Sequence, residues 1–119
     1  GSALLGCGTP YFFLWDTANV AGLGVWYGSG GGALFVTPNL TSGVLGFAGN
    51  VGYRNGAAES GTMTAPSGTI TRDIWIGGWN NGSGSPVNAS SRYFQAVAIY
   101  SSTLTAGEVA VVSAAMAAL

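Results

Sequence analysis

Histidine and lysine are both absent, cysteine occurs once, and charge is confined to Arg54, Arg72, Arg92, Asp16, Glu59, Asp73 and Glu108. Each scarcity removes a class of function. Without histidine the usual general base is missing and no Ser-His-Asp triad can be assembled. One cysteine and no histidine cannot fill the four positions of a zinc site. A net charge of −1 provides no field to hold a polyanion, so no nucleic-acid partner is expected, and a basic membrane-surface patch is equally absent. No apolar run approaches the ~20 residues of a bilayer span. The first eight residues lack a basic segment followed by an apolar one, so no membrane insertion is expected. Cys7 has no partner for an internal disulfide, and a lone thiol there reads as buried or incidental rather than reactive.

The carboxylates are too scattered for hydrolysis. Cleavage of a glycosidic bond needs two carboxyl groups about 5 to 9.5 Å apart. Here Asp73 sits beside Arg72 at the start of a strand pattern, and Glu108 stands where a helix start needs a cap. The chain is therefore expected not to be an enzyme.

What remains is 48% hydrophobic residues, with 21 glycines among 119 positions. That composition folds rather than staying disordered. The length suits one domain over residues 1–119, and a domain of this size buries roughly two-thirds of its unfolded surface. Gly1-Ser2 is compatible with a cloning scar at the head of a domain excised from a longer protein. With so few charges, the surface must be Gly, Ser, Thr and Asn. Little self-repulsion then keeps copies apart, a property suited to proteins packed against neighbours or working outside the cell.

The dominant period is two. Strands are expected over 11–15, 23–27, 33–37, 44–48, 51–54, 57–64, 73–78 and 94–100, with turn signals between them. Asn55-Gly56 is the dipeptide most typical of a type I′ hairpin turn. In the 73–78 pattern, Ile74 and Ile76 face one way, Trp75 and Gly77 the other. The glycine tract at 28–32 lacks the Lys-Ser/Thr tail of a phosphate loop and reads as a hairpin tip. After a corner at 101–104 the chain enters a helix whose start is specified several times over. Thr105 can accept from the Glu108 amide, Glu108 can reach back to Thr105, and Leu104 can staple onto Val109. Val109, Val112, Met116 and Leu119 form an apolar stripe at helical spacing. The rest of that helix is Ala-rich and uncharged, an unusual face for solvent, so its outer side is where a partner is sought. Eight short strands and one late helix argue for an antiparallel sandwich.

Three runs carry a resemblance: Ile74-Trp75-Ile76-Gly77-Gly78, Phe94-Gln95-Ala96-Val97-Ala98-Ile99-Tyr100, and Leu104-Thr105-Ala106-Gly107-Glu108-Val109. Their order resembles the end of laminin-G-like, concanavalin A-like lectin/glucanase domains, of the type found in phage tail and bacterial surface proteins. Val51-Gly52-Tyr53-Arg54-Asn55-Gly56 is similar to a hairpin of that family, and the likeness covers roughly residues 10 to 112. The resemblance implies an all-β fold, an antiparallel jelly-roll sandwich with a short C-terminal α-helix. Departures are Arg92, where glycine is frequent, and a Ser101-Ser102-Thr103 corner. Family members commonly carry one or two further strands at the start. The chain is then either a compact variant or a sheet with an edge open for another segment or subunit.

Two functions from different classes fit. One is a structural or assembly module of a virion (phage tail or capsid surface) or cell-surface appendage, with subunits of the same assembly, including copies of itself, as partners. The other is a carbohydrate-binding adhesion domain. For the latter, Trp79, Asn80, Asn81, Asn88 and Arg92 supply an aromatic face and polar groups for a glycan; alternatively Trp79 closes the core and the asparagines turn the chain. Laminin-G-like domains often hold calcium at the sandwich rim, which directs attention to Asp16 as a Ca²⁺ ligand. The alternative for Asp16 is a solvated or turn-capping carboxylate. No other cofactor is expected. Asn39-Leu40-Thr41, Asn81-Gly82-Ser83 and Asn88-Ala89-Ser90 match the glycosylation sequon.

Overall fold

The computed structural model describes residues 2–8, 12–17, 22–27, 33–36, 42–62, 69–91 and 93–119. Among these residues, two antiparallel sheets and one helix are formed. In the first sheet, β1 (Ser2–Cys7), β2 (Phe12–Thr17), β3 (Gly22–Tyr27) and β4 (Ala33–Val36) follow one another as a meander. The two-residue β8 (Trp75–Ile76) returns to the free side of β1, giving the order β4-β3-β2-β1-β8. The second sheet is the meander β5 (Leu45–Ala48), β6 (Val51–Arg54) and β7 (Ala57–Thr62). β4 lies alongside β7 and β6, which brings the sheets together.

Turn chemistry explains the second sheet. Asn55 and Gly56 both have positive φ, 50° and 82°, the backbone requirement of the expected type I′ turn. Asn55 adds a clasp: its side-chain Oδ1 accepts from the Val44 amide at 2.9 Å, while its backbone N–H donates to the Val44 carbonyl at 2.8 Å. Across β6 and β7, Arg54 Nε lies 2.9 Å from Glu59 Oε1, with both side chains largely buried. The hairpin tip is also a packing surface. A Cβ at Gly56 would fall 3.1 Å from Ala110 Cα and 3.3 Å from Ser113 Cβ, so the turn and α1 (Ala106–Ala117) meet backbone to backbone.

Two elements differ from the sequence pattern. β1 carries no period-two signal, yet it is central to its sheet. It accommodates a bulge, because Ala3 faces Trp15 while Leu5 faces Leu14, leaving Leu4 as the extra residue. Leu4 is buried, and its carbonyl accepts from the Gly77 amide at 2.6 Å. Conversely, residues 94–100 form no strand, despite their alternation. A strand is defined by a neighbour as well as by its own residues. The nearest preceding strand, β8, ends after two residues because Gly77 turns away at a φ of 80°. The expected strand over 73–78 is thereby cut to Trp75–Ile76, with Ile76 exposed rather than matching half-buried Ile74.

Among the described side chains, Leu4, Cys7, Tyr53 and Val109 are the buried apolar residues, joined by Asn80 and Ser113. The apolar stripe of α1 is correspondingly uneven. Val109 is buried, Val112 and Met116 are half-buried, and Leu119 lies exposed beyond the helix end. Ser113 takes an inward place because only a small side chain fits against Gly56.

Candidate functional site

Two surfaces follow from this framework. The first is the loop after β8. Trp79 and Val87 exchange both backbone hydrogen bonds, at 3.0 and 3.1 Å, which closes the loop at its base. The Asn80 amide donates to the Gly6 carbonyl at 3.2 Å, and the Gly8 amide donates to the Asn80 carbonyl at 2.6 Å, fastening the loop to β1. Gly8 is also the seat of the Trp79 indole, since a Cβ there would lie 3.2 Å from Nε1.

The expected site residues divide by role. Asn80 is buried: its Nδ2 donates to the Asp73 carbonyl at 3.0 Å and its Oδ1 accepts from the Gly82 amide at 3.0 Å. Its carboxamide is engaged at both ends in holding the loop. Asn81 is exposed, with Oδ1 accepting from the Ser83 amide at 2.9 Å, a local Asx turn. Asn88 is exposed in a left-handed conformation, φ 50°. Trp79 is half-buried. Arg92 lies outside the described residues, and so does the side chain of Asp16, whose backbone in β2 faces Ser2 and Leu23. Among the described residues no group of three or more His, Cys, Asp or Glu is gathered for a metal ion.

Beneath the loop, Cys7 is fully buried. Burial pushes its thiol up from the ordinary value, and the positive charge of Arg72 opposes this in part. The Arg72 guanidinium fills the space beside Gly82, where a Cβ would fall 2.5 Å from Nη1. Sequence patterning gave no sign that Arg72 packs beside Gly82 or lies within electrostatic reach of Cys7.

The second surface is the C-terminal third. The capping box at α1 is complete. The Thr105 amide donates to Glu108 Oε2 at 2.7 Å, the Thr105 hydroxyl donates to the same oxygen at 2.8 Å, and the Glu108 amide donates back to Thr105 Oγ1 at 3.3 Å. These bonds hold the Glu108 carboxyl below the usual carboxylate range. Tyr100, Leu104, Gly107, Glu108, Val111 and Val112 line one shallow, open depression. Its walls are almost wholly apolar, and Glu108, its one carboxylate, is held by the cap.

Comparison with known proteins yields no match to a family model, to a curated protein or to a solved structure.

Proposed function

We propose that this chain is a non-catalytic assembly module that joins copies of itself in a virion, on a phage tail or capsid surface, or in a cell-surface appendage, where it also serves attachment. The observation that carries this reading is the apolar C-terminal surface. Ile99, Tyr100 and Val111 are 58%, 50% and 70% exposed, in a stretch whose only charge is Glu108. Contiguous apolar surface rimmed by polar residues marks interaction sites, because leaving it in water forgoes the free energy of burial. Few charges elsewhere oppose close approach of like copies. The finer fold in this reading is a concanavalin A-like jelly roll. Two antiparallel sheets brought together through β4, β6 and β7, with a capped helix at the close, support it.

Sedimentation velocity across a wide concentration range tests the function. The expected result is a concentration-dependent oligomer that Val111→Lys weakens. A monomer at every concentration overturns the reading.

A second reading, a glycan-binding adhesion domain, is favoured by one feature: Asn81 and Asn88 both stand exposed on the loop that Asn80 fastens to β1. A glycan array with Asn81→Ala and Asn88→Ala controls tests it. Absence of binding to any sugar, or binding indifferent to both substitutions, removes it.

A further inference from the structure

We infer that residues 94–100 pair antiparallel with the same segment of a second copy across a two-fold axis at Val97. This rests on the assembly reading and names how the copies meet. The first observation is the backbone. Among the described residues, no N–H or C=O group of residues 93–104 takes part in a hydrogen bond. A run that belongs to no ladder offers its backbone groups for strand addition.

The second observation identifies the occupant. Phe94-Gln95-Ala96-Val97-Ala98-Ile99-Tyr100 is nearly symmetric about its centre. Antiparallel self-pairing centred on Val97 sets Phe94 opposite Tyr100, Ala96 opposite Ala98, Gln95 opposite Ile99 and Val97 opposite its own copy. Both aromatics then meet aromatics and both alanines meet alanines, the cross-strand matches that stabilise a sheet. Sliding the register by two residues sets Phe94 against Ala98 or Ser102 and loses both aromatic pairs. A two-fold interface requires one patch to be complementary to itself, and this segment meets that condition in a single register. It carries no charge with which to select a charged partner. The exposed Tyr100, which lines the depression against α1, extends the contact beyond the ladder.

Register-specific cross-linking tests the pairing. Gln95, Val97 and Ile99 share one face of an extended chain. In the proposed register, Val97 and its copy have Cα atoms about 4.5 to 5.5 Å apart, within reach of a disulfide. Gln95 and its copy, like Ile99 and its copy, are about 14 Å apart, beyond reach. Cys7 is buried and is expected to stay silent under mild oxidation by oxidised glutathione. Val97→Cys is expected to form covalent dimer at least about tenfold faster than Gln95→Cys or Ile99→Cys. In the unsubstituted chain, amide hydrogen exchange over 94–100 is expected to slow as the oligomer forms. An oligomer whose 94–100 amides exchange at the monomer rate, or whose cross-linking is equal at the three positions, overturns the pairing while leaving assembly intact. A chain that is monomeric throughout overturns both.

Discussion

Single residues set the close contacts that hold this fold together. Gly56 is required twice, by a φ of 82° and by a helix backbone 3.1 Å from where its Cβ would be. Gly56→Ala is therefore expected to lower stability by about 1 to 3 kcal/mol. Gly46→Ala, with nothing within 4 Å of its Cβ, is expected to be neutral or to stabilise by about 0.5 kcal/mol. Urea midpoints of the two variants make the comparison. Asn80→Ala leaves the Gly82 amide and the Asp73 carbonyl without their side-chain partner and is expected to cost about 1 to 3 kcal/mol. Cys7 is expected to resist a thiol reagent in the folded chain and to react at once in denaturant, because burial both hides it and raises its pKa. The Asn55-Gly56 turn was readable from a dipeptide. The place of Asn80 was not, since its partners are fixed by where the loop meets β1.

At the scale of the element, α1 is the part most fully written locally. Thr105→Ala removes the acceptor for the Glu108 amide and is expected to cost about 1 kcal/mol. The pH response follows from the other half of the box. The folded Glu108 carboxyl titrates below its ordinary value, so its contribution is present above the ordinary carboxylate range and fades as pH falls through the depressed value. The stability difference between the parent chain and Glu108→Gln should thus be largest near neutrality and vanish in acid, measured by urea titration at several pH values. The strands illustrate the opposite case. Residues 94–100 have as good an alternation as β3 but no ladder, whereas β1 has little alternation and two neighbours. Hydrogen-bond partners outweigh propensity because a strand alone buries neither its backbone groups nor a face.

For the whole molecule, the scarcity of charge governs association. Seven charged side chains, with Arg54 and Glu59 paired and Glu108 engaged in a cap, leave little for salt to screen. The dissociation constant of the oligomer is expected to change less than about threefold between low and high ionic strength, read by sedimentation; a charge-driven contact would weaken steeply. Composition by itself determined the broad class, a β-rich chain with a late capped helix and no side chains for zinc chemistry or a histidine-based triad. Those are local properties: turn dipeptides, caps and residue counts act within a few positions. Tertiary structure alone decided which β-patterned segments became strands, that Cys7 and Asn80 lie inside, and that residues 94–100 join neither of the described sheets. Those outcomes depend on distant segments meeting, as when β8 returns to β1 and turns away at Gly77, and no local pattern encodes where such a meeting stops.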